Sequence, residues 1–204
     1  AASAALISAM SDKAADAETF LLVANVVEGG TDTTDLAVRL KAASARLAGT
    51  GELEIINGKL EYAAGRVAAA DAAFAKAKDL LMQSHAAPRR LAMAHVGLAA
   101  TALDRNDESR ARTEINLAMS LDPSSVEAKL FGSEFAPSAN AKLELLQQAV
   151  ELAPYQSVAW MLLGQAALAA KKPAEYDRAV LRLTDIAPLS QELIELKAAA
   201  KSNR

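Results

Sequence analysis

Apolar residues recur at helical spacing along the chain, and several of the runs stop at prolines: LAMSLDP ends at Pro123, AVELAP at Pro154 and RLTDIAP at Pro188. Proline lacks the amide hydrogen a helix interior needs and its ring collides with the preceding turn, so each run predicts a helix ending there. Pro88, Pro123, Pro154 and Pro188 stand 35, 31 and 34 residues apart. That interval holds two helices and a short turn, and breakers fall where the turn belongs: Gly65, Asn106 with Asp107, Pro137, and Pro173 after Lys171 and Lys172. Upstream, Gly29 and Gly30 split Phe20 to Val27 from Leu36 to Leu47, and Gly49 and Gly51 close that pair. From Leu189 to Lys201, apolar Leu189, Leu193, Ile194 and Leu196 alternate with Glu192, Glu195 and Lys197, predicting an amphipathic helix. Ser124 with Glu127 reads as a capping box that opens a helix.

Composition sharpens this into an all-α fold. Alanine supplies 49 of the 204 residues, against eight aromatics. Alanine is the best helix former and lets helices approach closely, so thin, tightly stacked helical layers are expected.

The punctuation carries a resemblance. Trp160, Leu163 and Gly164 match the opening of the 34-residue tetratricopeptide repeat, and Pro188 stands at its closing proline. Gly58, the turn glycine Gly65, then Ala70, Phe74 and Ala77 match the other half of a unit, and Leu98, Ala99, Ala111, Ile115 and Ala118 match a third. Ala167 stands in place of the tyrosine, Tyr176 in place of a small alanine, and Lys129 where leucine is expected, in a unit about three residues short. The chain thus resembles the tetratricopeptide-repeat family, with units at about 16–49, 50–86, 88–123, 124–154 and 155–188. Residues 1–12 read as an extension, either foreign residues ahead of a start at Met10 or part of a longer chain; 13–188 form the repeat domain, and 189–204 a capping helix and tail.

The resemblance implies a right-handed superhelical solenoid of about five antiparallel helix pairs with a C-terminal cap. A lone hairpin cannot bury its apolar face, so neighbours stack. Small residues at Gly58, Ala99 and Gly164 would let the two helices of a unit touch, while Phe74, Ile115, Leu146 and Val180 fill the gap to the next. It also implies a concave groove lined by first helices and binding a partner's peptide or helix. Transferred position by position, the groove takes Glu18, Leu21, Asn25 and Glu28, then Glu52, Ile55, Lys59 and Tyr62, then Met93, Val96, Ala100 and Leu103. Val158, Met161, Gln165 and Leu168 follow in the last unit, and Arg90 stands at the third unit's start. Only Asn25 and Lys59 fit the family's lysine and asparagine carboxylate clamp, in a different combination, which argues against a chaperone-tail ligand.

Catalytic chemistry does not emerge from the residues. No cysteine is present, which excludes disulfides, thiolate metal sites and a cysteine nucleophile. Gly58-Lys59 lacks the earlier glycine of a P-loop, where Leu53 stands, and Leu60 follows the lysine. Asp104, Asn106 and Glu108 alternate like the start of a calcium loop, but Ile115 occupies the place of its last ligand. These residues, and Asp32 to Asp35, read as helix caps. His85 and His95 point to different helix faces across Pro88, so no metal is expected, nor any cofactor. Lys59, Arg89 and Arg90 read as a solvated basic face and Trp160 as scaffold packing, while Tyr62 fits packing and ligand stacking equally.

The net charge of −3 makes nucleic acid a poor partner, and no apolar run is long enough to insert in a membrane. The expectation is a non-catalytic protein-interaction scaffold in a bacterial assembly; the alternative is the repeat region of a larger enzyme or signalling protein. Either the cytoplasm or the periplasm suits these residues.

Overall fold

The structure, a computed structural model, describes residues 49–202. The unit at 16–49 therefore lies outside the described residues apart from Gly49, as do Glu18, Leu21, Asn25, Glu28 and the Asp32 to Asp35 cluster. All regular structure among the described residues is helical: α1 (Gly51–Ala63), α2 (Val67–Gln83), α3 (Pro88–Asp104), α4 (Glu108–Leu121), α5 (Val126–Glu134), α6 (Ala139–Leu152), α7 (Ser157–Ala169), α8 (Pro173–Ile186) and α9 (Gln191–Ser202).

The helix ends follow from local chemistry. Thr50, Asp107, Ser125, Ser138 and Ser190 each accept a hydrogen bond from a backbone N–H three residues on, satisfying a donor left without a partner at a helix start. Ser125, not Ser124, caps α5; Asp122 instead engages the Ser124 amide and hydroxyl, which shifts the expected boundary by one residue. Pro88 and Pro173 occupy first-turn positions, where the missing N–H costs nothing. Left-handed backbone ends α1 at Gly65 and α3 at Asn106, with φ of 74° and 58°. Both residue types tolerate that conformation. The Arg66 amide then reaches back to the Glu61 carbonyl, closing α1 in the Schellman manner.

The chain divides into two compact units, Ala1–Asn106 and Asp107–Arg204. In the first, α1 packs on α2, α2 on α3, and α1 on α3. Ile55, Ala70, Phe74, Ala77, Leu81, Ala94 and Leu98 form the shared core. Phe74 projects from α2 toward Gly58 of α1 and Gly97 of α3, where a β-carbon would collide with its ring. Gly58 therefore has the close-contact role its spacing predicts. Gly97 has the same role and was not singled out by the repeat pattern.

In the second unit, α4 through α8 pack in sequence, and α9 covers α7 and α8. Leu143, Leu146, Val150, Trp160, Leu163, Ala179 and Leu183 fill the core, closed by Leu193 and Leu196 of α9. Leu196 lies against Gly164, as a helix that covers an open apolar face must. Leu189 and Ile194, predicted for that buried stripe, point outward, and Val180 is only half-buried while Leu183 is fully buried. Leu193 and Leu196 hold the inward stripe of α9 as expected, Val180 packs against the same core from its half-buried place, and Leu189 precedes the helix.

Candidate interaction face

The first unit assembles most of the describable candidate residues. Lys59 and Tyr62 stand on α1, Arg90 and Met93 on α3, and all four are half-buried. Tyr62 and Met93 both pack against the Phe74 core. Polar groups meet across the helices. Arg90 pairs with Glu52 near the N-terminal ends, and the Asp104 carboxylate stands beside Tyr62 near the C-terminal ends. Burial, and then the neighbouring Asp104 carboxylate, raises the Tyr62 pKa above its ordinary value, because both disfavour the phenolate.

Three candidates are removed from this face, among them Ala100, which is buried on α3. Ile55 is 4% exposed and belongs to the core with Phe74, Ala77 and Leu81. Val96 is 6% exposed on a helix in which every residue from Ala92 to Ala102 except Met93 is buried. The face is consequently more polar than expected: an aromatic ring and a thioether lie between the Glu52–Arg90 ion pair and the Asp104 carboxylate. Leu21, Asn25 and Glu28 lie outside the described residues. In the sequence Asp104 reads only as a metal ligand or cap; the separation of 42 positions between it and Tyr62 leaves no local signal for their juxtaposition.

In the second unit, Val158 is exposed and Met161, Gln165 and Leu168 half-buried, so α7 presents the positions transferred to it. Trp160 is buried and donates its indole N–H to the Pro154 carbonyl at 3.0 Å, a packing arrangement. Lys129, at the leucine position of the short unit, is buried with its Nζ 2.7 Å from Gln148 Oε1. His95 is buried on α3, whereas His85 is exposed in the turn before it. Among the described residues, no three His, Cys, Asp or Glu side chains are close enough to hold a metal ion, and no helix is long and apolar enough to cross a membrane.

No family model matches the sequence. No curated protein matches it either. Solved structures do. A chain of the APC/C hetero-tetramer Cut9–Hcn1 is similar with a TM-score of 0.69 at 16% identity, over 94% of this chain and 37% of that one. The chain thus spans little more than a third of that relative. YrrB, a TPR protein with an unusual peptide-binding site, is similar at a TM-score of 0.53 and 14% identity, over 97% of this chain and 98% of its own. PilW, a widely conserved type IV pilus biogenesis factor, reaches 0.60 at 16% identity, over 91% and 84%. Together with the helix order, these likenesses show that the chain has the fold of the tetratricopeptide-repeat proteins.

Proposed function

We propose that this protein is a non-catalytic interaction scaffold that holds a peptide or helix of a partner protein on the face formed by α1 and α3. The observation that carries the reading is the pairing of Tyr62 and Met93, half-buried over one core on adjacent helices, with fixed charges at either end. Such a surface offers preorganised apolar anchors and directional polar groups, but no nucleophile held against a base. The ligand is an amphipathic segment held chiefly by apolar burial, with Lys59, Arg90 and Glu52 setting its direction. The fold shared with the peptide-binding YrrB and with PilW supports a peptide ligand and a place in a bacterial assembly.

The second reading, a repeat region within a larger enzyme or signalling protein, draws support from the 37% coverage of the Cut9–Hcn1 chain. Quantitative affinity capture tests the first. The wild-type chain should enrich a partner that Tyr62→Ala/Met93→Ala, with unchanged helicity by circular dichroism, fails to enrich. Equal enrichment by both baits would contradict it.

A further inference from the structure

The second helix of the last hairpin carries a surface that the first-helix face does not explain. Arg178 and Arg182 stand one turn apart on α8, each laid over an aromatic ring: Arg178 over Trp160 with 5.5 Å to the ring centroid, Arg182 over Tyr155 with 5.3 Å. A cation–π contact holds each guanidinium near its ring, and its several N–H donors suit a carboxylate. Neither guanidinium donates a hydrogen bond to another described residue. The nearest carboxylate oxygen to Arg178, Glu175 Oε2, is 3.8 Å away, beyond hydrogen-bond reach, and itself lacks a hydrogen-bond partner.

These arginines border an open hollow of about 260 Å³ that Trp160, Leu181 and Asp185 complete. Leu181 is 66% exposed, so the hollow has an apolar wall facing solvent. Arg178 thus has Glu175 as a loose ion-pair partner without a hydrogen bond, whereas Asp185 has neither an ion-pair nor a hydrogen-bond partner among the described residues. Along α8 two positive groups, Arg178 and Arg182, therefore flank the apolar Leu181, and the negative Asp185 follows about one turn on. From Arg178 to Asp185 the helix rises about 10 Å, the span of three residues of extended chain.

We propose that this hollow binds an extended peptide segment reading acid, apolar, base: a carboxylate on the Arg178 and Arg182 guanidinium groups, an aliphatic side chain over Leu181, and an ammonium or guanidinium on Asp185. Asp185 and the overall charge of −3 oppose a polyanion such as nucleic acid or an anionic membrane. The site is separate from the α1–α3 face and does not depend on its role.

Trp160 is the only tryptophan in the chain and lies beneath Arg178, so its emission reports on the hollow. The probe is acetyl-Glu-Leu-Leu-Lys-amide, titrated into the full chain, with the Gln-for-Glu peptide as comparison. The acidic peptide should shift Trp160 emission saturably, and the Gln peptide should bind about tenfold more weakly, the worth of a charged hydrogen-bonded contact. Arg182→Gln should weaken the acidic peptide by a similar factor and Asp185→Asn severalfold, each with unchanged helicity. Equal affinity for the two peptides, an unaffected Arg182→Gln, or displacement by inorganic phosphate but not by chloride at equal ionic strength would overturn the proposal. So would a peptide that shifts neither Trp160 emission nor the amide resonances of residues 178–185.

Discussion

Phe74 of α2 is seated against Gly58 of α1, where a β-carbon would lie 2.6 Å from Phe74 Cε1. Such an approach cannot be relieved by bending a flexible chain end, because the ring is itself buried and also meets Gly97. Gly58→Ala should thus lower stability despite alanine's helix preference: overpacking costs about 1–3 kcal/mol, against about 1 kcal/mol gained in propensity. In denaturant unfolding, Gly58→Ala combined with Phe74→Leu should cost less than the sum of the two single changes. Additive costs would show that the glycine and the ring do not contact each other.

The placing of Tyr62 beside the Asp104 carboxylate predicts a sensitivity to alkali. Because the folded pKa of Tyr62 is raised, the folded state keeps its proton longer than the unfolded chain. The contribution is complete below an unfolded tyrosine pKa of about 10 and is lost as pH rises through the folded value. Tyrosinate absorbance, isolated by subtracting a Tyr62→Phe titration, should place Tyr62 above the ordinary range. Asp104→Asn should bring it down, though not fully, because burial remains. An unchanged titration in Asp104→Asn would show that the carboxylate does not act on Tyr62.

Glu192 predicts the opposite limb. Hydrogen bonds from its own backbone N–H and from the Ser157 hydroxyl lower its pKa. Stability from this carboxylate is present above an unfolded pKa of about 4.3 and lost as pH falls through the folded value. Ser157→Ala should raise the Glu192 pKa and reduce the acid dependence of unfolding. A Glu192 carboxyl resonance that titrates identically in both proteins would refute the link between α7 and α9.

Lys129 makes α5 the weak helix. It spans Val126–Glu134, and its buried ammonium has a neutral partner in Gln148. Residues 124–154 should exchange amide hydrogens faster than the neighbouring hairpins. Lys129→Leu removes a buried charge and leaves Gln148 exposed to water, so it should stabilise by about 1 kcal/mol and slow that exchange. Uniform protection across the described residues, or destabilisation by Lys129→Leu, would count against this account.

Helix ends were legible in the sequence because they are set by local chemistry. Gly65, Asn106, Pro88 and Pro173 act on their own backbone, and the structure places them at the ends they predict. Which side of a helix faces inward was less legible. Between Leu91 and Leu103 there is no charged residue to mark an outer side, and Ala, Gly and Val pack equally well on several faces. Transferred repeat positions therefore assigned Val96 and Ile55 to the groove, although both belong to the interior. The pairs that shape the candidate surfaces, Glu52 with Arg90 two helices on and Trp160 with Arg178 on the next helix, lie beyond the reach of helical spacing and have no local signature.

In the proposed function the α1–α3 face grips a partner through Tyr62 and Met93 rather than through charge. The most direct test is the affinity of the captured partner for wild type, Tyr62→Ala and Met93→Ala, measured at low and moderate salt. A well-buried apolar anchor contributes ~1.5–3 kcal/mol, an exposed charge well under about 1. Each truncation should therefore weaken binding severalfold or more while salt changes it little. Binding that survives both truncations and collapses with salt would contradict the claim and place the partner on a charged surface elsewhere.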